Sequence, residues 1–174
     1  MIPAIPPPAF DDSEYLTHYR WMQQAIELAD EAGLAGEIPV GAVIVGPDGG
    51  VLAEGNNRRE RDHDPTAHAE IVAIRAASQV LQNWHLNDCT LYVTLEPCPM
   101  CAGAILQSRI SLLVYGTDDP KTGAIRSALN LPDSPCSYHY LSVVSGVLGE
   151  PCRDQLQAWF AQRRQQKQQQ RQLG

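Results

Sequence analysis

Leu91-Tyr92-Val93-Thr94-Leu95-Glu96-Pro97-Cys98-Pro99-Met100-Cys101 is the stretch on which the reading of this chain turns. Its first half is apolar and β-branched, the composition of a strand buried in a sheet. Pro97 ends that strand, because proline cannot donate to a ladder. Cys98 to Gln107 then reads as a helix. A buried strand feeding a helix is the repeating unit of an α/β fold.

The same junction carries two thiols. Cys98 and Cys101 are spaced i, i+3, so they share one helix face and can reach one ion. Near a helix N-terminus the free N–H groups and the macrodipole favour thiolate, the form that binds metal. A second group, His68-Ala69-Glu70, adds an imidazole and a carboxylate. At about 100° per residue, His68 and Glu70 diverge by about 200° around a helix. They converge only on something lying off the helix end, so two helix N-termini are expected to meet at one metal.

One imidazole and two thiols leave a tetrahedral zinc with an open position, whereas structural zinc is usually closed by four protein ligands. Zinc lowers the pKa of a water in such a position towards neutrality. Glu70 is not needed as a ligand and is placed to move that water's proton. Two other readings stay open on residues alone. The Cys-x-x-Cys pair could be a redox dithiol, or His63, His85, His139 or Cys136 could complete a closed structural zinc site.

Outward from these motifs, Asp11, Asp12 or Ser13 caps a first helix through Tyr15, Tyr19, Met22, Ile26 and Ala29, with Gly33 as its stop. Pro39 to Gly46 and Val51 to Gly55 are strands joined by the turn Pro47-Asp48-Gly49-Gly50. Asn56 to Asp64 is a polar loop holding Asn57, Arg58, Arg59, Arg61 and His63. Asp64-Pro65 opens a helix running through His68 and Glu70 to about Val80. Leu112 to Gly116 is a strand, and Thr117 to Ser127 a loop with Asp118, Asp119 and Lys121. An irregular last strand lies within Leu141 to Leu148. A last helix runs from Pro151 to about Gln166, with Leu156, Trp159 and Phe160 on its apolar side, and trails into a glutamine-rich end. This order gives a three-layer α/β/α sandwich with a central mixed five-stranded sheet. With 174 residues and no repeat or linker, one core domain is expected. It spans residues 13–162, between a disordered proline-rich arm (1–12) and a basic, Gln-rich tail (163–174).

Composition narrows the class. No stretch approaches the ~20 apolar residues of a membrane helix. The N-terminus lacks the basic region of a signal peptide, which makes the cytoplasm the expected location. Five cysteines without a secretory signal argue for metal or free thiols over disulfides, and Cys89, Cys136 and Cys152 read as buried or incidental. The net charge of −7 is unevenly spread. Residues 161–174 hold Arg163, Arg164, Lys167 and Arg171 and no acid, so total charge does not decide local phosphate contacts.

His68-Ala69-Glu70 with Pro97-Cys98-x-x-Cys101 resembles the signature by which zinc nucleobase deaminases are described. The resemblance covers roughly residues 15–165. It includes Pro39 to Val43, Asp64 to Glu70, Thr94 to Ala104 and Lys121 to Ala124. The first three blocks are shared in part with guanine and other deaminases. The Thr94-Leu95-Glu96 lead-in and the Lys121-Thr122-Gly123 loop look more like bacterial tRNA-specific adenosine deaminases.

The resemblance implies a cytidine deaminase-like fold and one Zn²⁺ per subunit, held by His68, Cys98 and Cys101, with Glu70 as proton shuttle. It implies hydrolysis of adenosine to inosine at the wobble position of a tRNA anticodon, of the arginine type, by a homodimer. Asn57 would hydrogen-bond the base, Asp119 would lie beside the nucleotide backbone, and Leu95 to Pro97 would line the base pocket. The target must be unpaired and extruded, as in an anticodon loop. Arg58, Arg59, Arg61, Lys121 and the basic tail are candidate phosphate contacts. A guanine or other free-base or nucleotide deaminase with the same zinc site is the alternative. The chain departs from the family at Tyr138, which precedes His139 where an Asn-His pair is usual, and at Asp118 and Pro120.

Overall fold

In a computed structural model of the chain, the described residues are 12–173. The proline-rich arm therefore lies, but for its last residue, outside the described residues. The elements are α1 (Asp12–Leu34), β1 (Gly41–Val45), β2 (Val51–Asn56), α2 (Arg59–Asp62), α3 (Ala69–Leu81), β3 (Thr90–Leu95), α4 (Pro99–Gln107), β4 (Leu112–Thr117), β5 (Ser142–Ser145) and α5 (Gly149–Leu173).

The strands form one mixed sheet in the order β2-β1-β3-β4-β5. β1 pairs antiparallel with both β2 and β3, while β3–β4 and β4–β5 are parallel. Alternation along each strand builds two cores. Ala42, Ile44, Leu91, Val93, Leu113 and Tyr115 point to one face and pack with Ala69, Ala73, Ile105 and Leu106 of α3 and α4. Val43, Val45, Tyr92, Val114 and Val144 point to the other, against Trp21, Met22 and Ala25 of α1 and Cys152 of α5. Strands buried on both faces are the reason β1, β3 and β4 read as continuous apolar runs.

Two glycines let the helices sit this close. A Cβ on Gly41 would strike the Ala25 carbonyl and come within 2.8 Å of Leu28. One on Gly55 would strike the Ala69 carbonyl and lie 2.8 Å from the Ala73 nitrogen. Gly55 thus sets how deeply the first turn of α3, with Glu70, seats on β2.

The structure moves several boundaries. The helix expected from Asp64-Pro65 begins at Ala69. The Asp64 carboxylate instead accepts the Thr66 N–H (2.8 Å) and hydroxyl (2.7 Å), closing a turn that leaves His68 extended. Local side-chain bonding by Asp competes with helix initiation, and here it wins. The loop after β2 contains the single turn α2, ended by His63 in the left-handed region (φ 50°). α1 runs past Gly33 to Leu34. The last strand is confined to Ser142–Ser145, and Leu148 follows in a turn with positive φ. α5 continues through the Gln-rich segment to Leu173 instead of fading near Gln166. Glutamine, lysine and arginine are good helix formers, so charge and polarity there do not end the helix. Among the described residues, no helix is long and apolar enough to cross a membrane.

Candidate metal centre and substrate cavity

Two strand-to-helix junctions meet at one point. His68 is the N-cap of α3 (φ −72°, ψ 155°) and Cys98 the N-cap of α4 (φ −71°, ψ 172°), both in extended backbone. Neither side chain caps its own helix, so both are free to turn towards each other. Pro99 occupies the first turn of α4, where its missing N–H costs nothing. Cys101 follows one turn on.

The His68 Nδ1 lies 3.6 Å from the Cys98 Sγ and 3.5 Å from the Cys101 Sγ. Zn–N near 2.0 Å and Zn–S near 2.3 Å at a tetrahedral angle require an N···S separation of about 3.5 Å. The three ligand atoms all lie within 4.8 Å of one another, and this is the only such cluster among the described residues. The donor set and spacing fit one Zn²⁺. His63, His85, His139 and Cys136 do not join it, so the closed four-ligand reading fails. All five cysteines are free, and Cys89 and Cys152 are buried.

Without a metal, the three side chains share protons among themselves. A hydrogen bond from Cys101, and then one from His68, hold the Cys98 thiol down at about 4. The Cys101 thiol is pushed up by its bond to Cys98 and by burial. The bond to Cys98 raises His68 despite burial. Glu70, in the first turn of α3, is 4 % exposed. Burial, the largest influence, raises its carboxyl above the usual range. That is the direction wanted in a group that carries a proton near neutrality.

The cluster lies at a cavity of about 560 Å³. Asn57, Leu95 and Asp119, the expected substrate contacts, all line it, as do Arg59 and Lys121. Asn57 is 6 % exposed and donates its amide to Glu37 (3.4 Å). The Asp119 carboxylate is turned onto its own loop: it accepts the Lys121 N–H (2.9 Å), the Thr122 N–H (3.3 Å) and the Thr122 hydroxyl (2.6 Å). Burial opposes these bonds, but together they hold Asp119 below the usual carboxylate range. Of the other candidate phosphate contacts, Arg58 bonds Asn56 and Arg61 pairs with its neighbour Asp62. Arg163 donates to the Gly36 carbonyl and stacks on Trp159.

Two groups of site residues were not legible in the sequence. The first is the far wall, Arg153, Leu156, Gln157 and Phe160 of α5. Leu156 and Phe160 read as core residues; the i, i+3, i+4, i+7 spacing of all four was the available signal. The second is the role of the Glu96 side chain, which is 2 % exposed and forms no ion pair among the described residues. Its Oε1 accepts the N–H groups of Ile125 (3.2 Å), Arg126 (2.8 Å) and Ser127 (3.0 Å). Its Oε2 accepts the Asp119 N–H (3.0 Å) and the Ser127 hydroxyl. One carboxylate thereby folds the whole loop after β4 around itself, and a Cβ on Gly123 would collide with it. The departures from the family pattern have simple surroundings. Asp118 pairs with Arg126 (3.0 Å) and accepts the Tyr115 hydroxyl (2.9 Å), while Tyr138 is 93 % exposed.

Residues 16–117 match the family model for the cytidine and deoxycytidylate deaminase zinc-binding region. A tRNA-specific adenosine deaminase of Haemophilus influenzae is 51% identical over 148 residues, 85% of this chain and 86% of the relative. A solved structure from work on A-to-I editing by tRNA:A34 deaminases at the wobble position of transfer RNA superposes with a TM-score of 0.76. It is 43% identical and covers 78% of this chain and 98% of its own. A guanine deaminase of Bacillus subtilis is 38% identical, with a TM-score of 0.57, over 83% of this chain and 94% of its own. The match spans both halves of the metal cluster and the sheet that carries them, and the chain belongs to the cytidine and deoxycytidylate deaminase zinc-binding family, among the tRNA-specific adenosine deaminases.

Proposed function

We propose that this chain hydrolyses adenosine to inosine at the wobble position of a tRNA anticodon, with an arginine tRNA as substrate. The observation that carries the reading is the buried Glu70 carboxyl beside a three-ligand cluster at the floor of an open cavity. The cavity is the size of a small-ligand pocket, so it can take one extruded nucleotide but not a stacked strand.

His68, Cys98 and Cys101 would hold the zinc. When bound, it supplies Lewis acidity and lowers the pKa of a coordinated water. Glu70 accepts one proton from the attacking water and delivers it to the adjacent ring nitrogen; as the C6–N bond breaks it takes the proton of the new C6 hydroxyl and passes it to the leaving amine, so that C6=O forms and ammonia departs. Water and adenosine are consumed, and inosine and ammonia are released. Asn57 hydrogen-bonds the base, Leu95 lines the pocket, and Asp119 borders the nucleotide by holding the Lys121–Thr122 turn. The active form is a homodimer.

The test is an inosine assay on zinc-loaded protein with an arginine tRNA bearing an adenosine-first anticodon, run beside guanine and free nucleosides. Inosine in the tRNA supports the proposal. Ammonia from guanine with the tRNA unchanged overturns it in favour of a free-base deaminase.

A further inference from the structure

We propose that Glu37 is a positioning residue for the deamination site, acting by fixing the orientation of the Asn57 amide; this rests on Asn57 contacting the base. Glu37 lies in the segment between α1 and β1, is 2 % exposed, and does not line the cavity. Its carboxylate forms no ion pair among the described residues. A carboxylate so deeply buried must be satisfied by donors. Its Oε1 accepts the Arg61 N–H at 2.7 Å, and its Oε2 accepts the Glu60 N–H at 3.2 Å and the Asn57 side-chain N–H at 3.4 Å.

These contacts do two things to the cavity. First, they supply the acceptor that the start of α2 lacks, since Arg58 makes no side-chain cap bond there. That fixes the turn bearing Arg59, which lines the cavity. Second, they decide which way the Asn57 amide points. An ionised carboxylate only accepts. At 3.4 Å the bond is long, yet an acceptor oxygen on that side repels the amide oxygen and admits the NH₂ group. The NH₂ group faces Glu37, and the carbonyl oxygen and second N–H are what Asn57 can offer a base. An asparagine free to flip would present donor and acceptor interchangeably and so read an adenine edge poorly. Burial of Asn57 and its backbone N–H bond to Val40 (3.0 Å) leave the amide flip as the remaining freedom, and Glu37 removes it.

Glu37→Gln tests this, because it keeps the shape and an acceptor oxygen but adds a donor against the Asn57 amide. The experiment is a double-mutant cycle with Asn57→Ala, reading kcat/KM on the tRNA, zinc content and melting temperature for each variant. Glu37→Gln is expected to lower kcat/KM by at least ~10-fold, the scale of a misplaced positioning group, with zinc retained. In the Asn57→Ala background the same change should do almost nothing to kcat/KM. Full additivity of the two changes overturns the proposal, because Glu37 would then act on fold alone. So does an Asn57→Ala variant as active as the parent, which also removes the base contact. A parent enzyme inactive on tRNA would instead refute the proposed substrate. If Glu37→Gln does not yield zinc-loaded protein, Glu37→Asp, with its acceptors drawn back by one methylene, replaces it in the same cycle.

Discussion

Glu96→Gln isolates what one buried carboxylate does for the site. With its remaining oxygen kept on Ile125, Arg126 and Ser127, its new NH₂ group faces the Asp119 N–H, donor against donor. Orphaning this part-buried N–H costs about 1 kcal/mol, the low end of the range for a buried group. Making three charge-assisted bonds neutral weakens each by about 1 kcal/mol. Ser127 is exposed and water can replace part of its bond, and single terms do not add in full, so the net loss is about 3 kcal/mol. For a chain of this size that corresponds to about 6–12 °C in melting temperature. The assay is thermal unfolding of zinc-loaded protein, with amide hydrogen exchange at Asp119, Ile125, Arg126 and Ser127. Exchange at those amides should accelerate while the α3 and β3 amides stay protected. A variant melting within ~1 °C of the parent, with unchanged exchange, would refute the reasoning. The loop would then be held by something other than Glu96.

Two further outcomes are expected of the metal cluster. Glu70→Ala should retain zinc and fold but lose about 10²–10⁴-fold in turnover, the usual contribution of a general acid–base group; single-turnover kinetics beside metal analysis check both halves. Zinc binding to the metal-free chain should release protons and strengthen as pH rises. Cys98 is held low and is thiolate at neutrality, whereas Cys101, raised by its bond to Cys98 and by burial, must give up a proton, and His68, raised by its bond to Cys98, adds whatever proton it still carries. Calorimetry in buffers of different ionisation enthalpy should therefore read at least about one proton per zinc near pH 7, and none would contradict the assignment. Cys98→Ser should abolish the signal.

The sequence by itself determined the metal-ligand cluster and the layers. Spacing alone required His68 and Glu70 to work off a helix end, and the structure places His68 and Cys98 as facing N-caps. The apolar runs of β1, β3 and β4 announced strands covered on both sides, because burial on two faces leaves no polar positions in the pattern. Tertiary structure alone decided how the cavity is walled. Glu37 and Glu96 look like ordinary acids in sequence, since nothing local tells a solvated carboxylate from one that gathers backbone N–H groups many residues away. Asp64 could have capped a helix or closed a turn, and only the path that leaves His68 extended beside Cys98 selects the turn. Phe160 and Leu156 satisfied the periodicity of a core helix equally well whether they faced the sheet or an open cavity. Periodicity reports which residues share a face, while what lies opposite that face is fixed by long-range packing.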